Sequence, residues 1–275
     1  LSVETGVYPE DLDRAISDGF VSGVELAPGI TIGPFKMITD GSLNTRTAYC
    51  VEPYLSVAGD DYGAMNFPPE EIEATLVKAD QAGFWLAVHA IGDRANEMVL
   101  EIMGRHNLKG RIEHAQLVRE QDFERFGRLG ITVSVQPEHA IDDRDVTDVY
   151  WADRTQRAFA LRKLVDKGAH LVLGSDAPVS PLDPWVSIAA AVTRTRDGRE
   201  PWHLEQGLSI TEALDCSTRS TLEPGQPADI VALDADPLWL MGALGSDMPR
   251  ASDALRELPV ALTMSAGVVT HSTLS

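Results

Sequence analysis

Short apolar runs alternate with amphipathic stretches through most of the chain, the pattern of βαβ units on a parallel sheet. Five runs read as strands, near residues 31–38, 84–89, 111–114, 131–136 and 170–176. PEDLDRAISDGF precedes the first, and PPEEIEATLVKADQAGF, DRANEMVLEIMGRHN and RTQRAFALRKLVDKG lie between later ones with helical periodicity. DPWVSIAAAVTRTR follows the last strand. The PPEE segment places prolines and acids in a first turn, where a helix tolerates the one and its dipole favours the other, and it closes at Gly83. Asp93 is placed to cap the next helix. From about Glu223 the pattern changes to ADIVALDAD and VALTMSAGVVT, short strands separated by turns. The expected division is therefore residues 1–222 and residues 223–275. Two connections, 40–67 and 137–154, lack periodicity, and loops of that length are often functional. Both are expected to wall a substrate pocket.

Four of the runs end in chemistry: Lys36, His89, His114 and Asp176. As consecutive strands of a (β/α) barrel they would present these residues at one face, where such barrels keep their active sites. Two imidazoles and a carboxylate suit a divalent metal, zinc above all. A lone histidine on an apolar strand is more often a satisfied core residue. Two at matching strand ends, followed by Asp176, favour the metal. A protonated lysine has no lone pair to offer; Lys36 would ligate as a carbamate, and the alternative is an ordinary lysine paired with Asp40. His170 shares the parity of Asp176 but lies six residues earlier, roughly 20 Å along the strand, and is no ligand. Glu113, preceding His114, is expected on the opposite face as partner to an arginine in the outer layer. Gln116, Gln136 and His139 fall just beyond strand ends, within reach of a substrate. Arg46 either contacts a substrate carboxylate or braces its own loop. Asp93 and Arg94 read as capping and bracing residues, and His106, His203 and His271 as bystanders.

The segments FKMITDGSLNTRTA, VHAIGDRA, RIEHAQ, SVQPEHA, GSDAPVSPLDPW and EPGQPADIVALDADP, in that order, resemble the family-3 branch of the amidohydrolase superfamily, the formamide deformylase-like enzymes. The resemblance runs from about residue 30 to the C-terminus. It implies an α/β fold, a (β/α)8 TIM-type barrel with a small β-sandwich to which the C-terminal strands contribute. It implies one ion held by a carbamylated Lys36, His89 and His114, and another held by a His-x-His pair, the same lysine and Asp176. None of the seven histidines here are separated by one residue, so an N-terminal portion is expected ahead of Leu1, and a longer stretch between Ser217 and Leu222. The implied reaction is hydrolysis of an amide or formamide C–N bond by a metal-activated water, with Asp176 as metal ligand and proton shuttle. Two other readings stay open: a non-catalytic or partner-dependent fragment, and lyase or isomerase chemistry on the same fold.

Composition narrows the partners. A net charge of −19 and a pI near 4.6 oppose binding to nucleic acid or to an anionic membrane surface. No apolar run approaches the roughly 20 residues that span a bilayer. Two cysteines make no disulfide framework and fit a reducing, cytoplasmic setting. The expected partners are a small-molecule amide substrate and a second copy of the chain. With 275 residues the chain is long enough for a barrel of about 250, yet only five barrel strands are legible.

Overall fold

The computed structural model describes residues 2–274 and divides the chain into two compact units, Leu1–Val135 with Asp143–Val172, and Gln136–Asp142 with Leu173–Ser275. The first unit is an α/β structure. Its elements are β1 (Val3–Val7), α1 (Leu12–Ser17), β2 (Glu25–Ala27), β3 (Ile30–Ile38), α2 (Pro69–Gln81), β4 (Leu86–Ala90), α3 (Asp93–His106), β5 (Gly110–His114), α4 (Phe123–Leu129) and β6 (Thr132–Val135). After α5 (Pro137–Asp142), which belongs to the second unit, come α6 (Arg144–Tyr150), α7 (Leu161–Asp166) and β7 (His170–Leu173).

The strands form one sheet in the order β1-β3-β4-β5-β6-β7, with β2 antiparallel on β3. Pairing is parallel from β1 through β6. Phe35, Met37, Leu86, Val88, Ile112, Val133 and Val135 alternate onto one face and are at most 3% exposed. Burying each such side chain contributes about 1.5–3 kcal/mol, which explains why these short runs settle as strands. The other face carries Lys36, Ala87, His89, Arg111, Glu113 and Ser134, set side by side by the pairings Lys36 with Ala87, His89 with Glu113, and Glu113 with Ser134. The five expected strands are all present; β2 and, at the sheet's edge, β1 are additions. The β1 sequence VETGV buries only Val7, so backbone pairing with β3 holds it and apolar periodicity could not reveal it.

Helix α2 buries Ile72, Leu76 and Ala79 on one stripe and gives way at Gly83, whose φ of 87° few other residues adopt. Helix α3 begins at Asp93, so Gly92 and not Asp93 holds the capping position. The carbonyl of Tyr49 takes the amides of Arg94 and Ala95 instead, at 3.1 and 3.2 Å. The Asp93 carboxylate braces, as expected, accepting from the Val51 amide at 2.8 Å and pairing with Arg157 at 3.0 Å. The helix expected over RTQRAFALRKLVDKG is shorter: a 3-10 turn at Thr155–Arg157 and then α7. Phe159 breaks it with a φ of 49°, its amide donating to the Gln116 carbonyl at 2.6 Å.

Residues 40–67 form no helix or strand, as expected, but they are ordered by burial of Leu43, Ala48, Cys50 and Tyr54. Tyr54 stacks on Trp151 with centroids 6.1 Å apart, and the buried guanidinium of Arg154 donates to the carbonyls of Glu52 and Pro53. Residues 137–154, read as a loop, are instead largely α5 and α6, each at most two turns and too short to show a period.

The second unit contains α5, α8 (Pro184–Thr193), α9 (Ile210–Ser217), β8 (Ile230–Leu233), α10 (Pro237–Leu244), α11 (Met248–Arg256), β9 (Val260–Ser265) and β10 (Val268–Ser272). Asp183 caps α8 through the Trp185 amide, and Ser209 with Glu212 forms a capping box on α9. The strands make a three-stranded antiparallel sheet, β10-β9-β8. Two helices, α10 and α11, separate β8 from β9 where only turns were expected. PLWLMGAL is apolar on every side and so carries no helical stripe to read. Buried Glu138 on α5 receives Arg256 at 2.7 Å and Arg196 at 2.6 Å. No helix among the described residues is long and apolar enough to cross a membrane.

Candidate metal and catalytic site

In the first unit, Lys36 on β3 and His89 on β4 share a face through the Lys36–Ala87 pairing. His114 is the last residue of β5, and its pairing with Ala90 would send it to the opposite face. A φ of 76° turns it back. The imidazoles of His89 and His114 consequently meet edge-on, with centroids 4.5 Å apart. That turn also corrects the reading of Glu113. It lies on the same face as His89, and its arginine partner, Arg111 at 2.5 Å, stands two residues back on the same strand and not in an outer layer.

Burial, and then the charge of Lys36, pushes the His89 pKa down to about 4. The ring is therefore neutral at pH 7, the form in which imidazole ligates metal. Two adjacent imidazoles with a lysine beside them are a donor set that fits a borderline divalent cation once the lysine is a carbamate.

Asp40 faces His89, with Oδ1 3.5 Å from Nε2, and takes three backbone amides: Ile91 at 3.0 Å on Oδ1, and Gly92 and Tyr49, each at 2.9 Å, on Oδ2. Burial pushes its pKa up to about 7, against the pull of those donors. The Asn96 amide group donates to the carbonyls of Ala90, Ile91, Gly92 and Leu117 at 3.0–3.3 Å, tying the turn after His89 to the one after His114. Neither role was read from the sequence. Asp40 was weighed only as a partner for Lys36, although an acid in a TDG turn at a strand end is the signal that was available.

Gln116 is buried just beyond β5. The Arg46 guanidinium lies 5.8 Å from the Tyr150 ring centroid. His170 opens β7, 3.4 Å from the Thr132 hydroxyl. His106 ends α3 beside Glu73.

In the second unit, Gln136 and His139 are buried, His139 on α5. Asp176, three residues past β7, has a φ of 54° and a half-exposed side chain. Its Oδ2 lies 3.9 Å from His139 Nε2. A cavity of about 190 Å³ lined by Gly174, Ser175, Leu182, Asp183 and Ser187 lies along the same turn. His203 pairs with Glu205, and His271 is exposed on β10.

A family model described as the amidohydrolase family matches residues 22–271. The chain is 34% identical over 247 residues to the protein LONG AFTER FAR-RED 3 of Arabidopsis thaliana, covering 82% of this chain and 42% of that one. It is 25% identical over 229 residues to an N-substituted formamide deformylase of Arthrobacter pascens, covering 76% and 40%. Among solved structures, an uncharacterized metal-dependent hydrolase of Pyrococcus horikoshii OT3 aligns with a TM-score of 0.69 at 34% identity, covering 78% and 44%. The chain thus spans less than half the length of each of these relatives. With the match extending over nearly all of its residues and a mostly parallel α/β sheet presenting the expected side chains, the chain belongs to the amidohydrolase family.

Proposed function

We propose that the protein is a metal-dependent hydrolase that cleaves an amide or formamide C–N bond. The observation carrying this reading is the contact of the neutral His89 ring with His114 at the ends of adjacent strands. Lys36, His89 and His114 would hold one divalent ion, zinc by their chemistry, and Asp176 would contribute to a second. To serve, the Lys36 ammonium would release a proton to solvent, its amine nitrogen would bond to the carbon of carbon dioxide, and loss of a second proton to solvent would leave a carbamate. A divalent ion, when bound, lowers the pKa of water from 15.7 toward about 7 and polarises the carbonyl. Asp176 accepts the water's proton and delivers it to the departing nitrogen. Arg46, Gln116, Gln136 and His139 are the residues we propose to contact the substrate.

The same reading takes the parallel sheet as part of a (β/α)8 barrel over residues 1–222, and β8, β9 and β10 as strands of a β-sandwich over 223–275. A homodimer in the cytoplasm is the setting we propose. The likeness to an N-substituted formamide deformylase supports the substrate class.

The test is zinc per chain after dialysis, with turnover of an N-formyl amine on the same sample. One ion and turnover, both lost in His89→Ala, support the reading. One ion without turnover supports instead a non-catalytic or partner-dependent fragment. Zinc binding untouched by His89→Ala rules out the ligand assignment.

A further inference from the structure

We infer that Asp40 is a positioning residue for His89: it holds the ring's proton on Nε2 and so leaves the Nδ1 lone pair for a metal ion. The inference rests on the proposed role of His89 as a ligand. Two groups approach Nε2, the Asp40 Oδ1 at 3.5 Å and the Gly41 carbonyl at 3.4 Å. The Gly41 carbonyl is a hydrogen-bond acceptor for that nitrogen, and the Asp40 oxygen, when ionised, sets a second acceptor beside it, so the neutral ring is stabilised with its hydrogen there. A histidine that ligates metal commonly donates its other N–H to a carboxylate or carbonyl, which fixes the tautomer and raises the basicity of the ligating nitrogen.

The carboxylate is itself immobilised. It is fully buried, and amides from three residues on two segments fill the rest of its acceptor capacity. His89 is tied at its backbone as well, its carbonyl accepting from the Thr39 amide at 3.2 Å and the Thr39 hydroxyl at 2.6 Å. The turn after β3 therefore reaches His89 twice, through Thr39 at its main chain and through Asp40 at its ring. If Asp40 only organised backbone, the turn at residues 91–92 and Tyr49 would need it, but the ring would not.

Two measurements separate these roles. Nitrogen-15 NMR of the metal-free protein at pH 7.5, with His89 assigned by its loss in His89→Ala, reads the tautomer directly; the Nε2–H form is expected. Zinc affinity by chelator competition is then compared in the wild type, His89→Ala and Asp40→Asn. Asp40→Asn should lower the Nε2–H share and weaken zinc on the order of 10–100-fold, while His89→Ala removes the site. A wild-type His89 in the Nδ1–H form overturns the inference even if Asp40→Asn does not fold. So does folded Asp40→Asn with wild-type zinc affinity. Zinc affinity unchanged in His89→Ala, by contrast, overturns the ligand role of His89, and the inference falls with it.

Discussion

The carbonyl oxygen of Tyr49 lies 2.0 Å from where a β-carbon on Gly92 would stand. The long loop after β3 thus seats its backbone directly on the turn after β4, and only glycine leaves room. Gly92→Ala should push the loop off that turn and lower stability on the order of 1–3 kcal/mol, the scale of overpacking. Urea unfolding followed by fluorescence measures it, and a midpoint equal to wild type would contradict the contact.

Asp176→Asn should cost on the order of 10²-fold or more in turnover, the scale of general acid–base catalysis. Its side chain is nearly half exposed, so the near-isosteric amide should leave the melting temperature almost unchanged. Wild-type turnover in this variant would remove Asp176 from the proton path.

Acid should act on Asp40 and His89 in opposite senses. Below pH about 6.5 an unfolded histidine takes a proton that folded His89 refuses until about pH 4, so His89 subtracts stability as pH falls through that window. Folded Asp40 takes its proton near pH 7, whereas an unfolded aspartate waits until about 3.8, so Asp40 adds stability over the same range. In the metal-free protein His89→Ala should remove the first trend and leave the direction of the second. Its stability relative to wild type should rise by on the order of 2–3 kcal/mol between pH 7 and 4. Denaturant midpoints at pH 7, 5.5 and 4 check this, and a variant that instead loses ground in acid would reverse the assignment.

Cys50 is buried, and burial followed by the charge of Asp93 pushes its thiol up to about 12. Burial raises the half-buried Cys216 too. In Cys216→Ser the remaining thiol should resist an aromatic disulfide reagent at pH 8 until denaturant is added. Rapid colour development in the native variant would mean that the loop around Cys50 opens.

The strands bearing Lys36, His89 and His114, and the one that stops three residues short of Asp176, are legible because each pairs a short apolar run with a polar residue at or just beyond its end. What failed was parity. Counting alternate faces along RIEH separates Glu113 from the site, but the positive φ of His114 cancels the alternation at the residue that matters, and no sequence pattern announces such a turn. Helices α5 and α6 were hidden by brevity, α10 by being apolar on all sides. The hold of Asp40 and Asn96 on the turn after His89 consists of bonds to main-chain atoms, which side-chain types alone do not disclose.

Arg154 reaches back 101 residues to the carbonyl of Pro53. Contacts so distant along the chain form only after the intervening segment has closed a large loop, and they slow folding accordingly. During synthesis, β3, β4 and β5 can pair while residues 40–67 still lack this anchor. The stretch at Glu52 and Pro53 therefore gains this anchor only once Arg154 has been made, and a ribosome-bound chain halted before Arg154 should be cut there more readily by proteases.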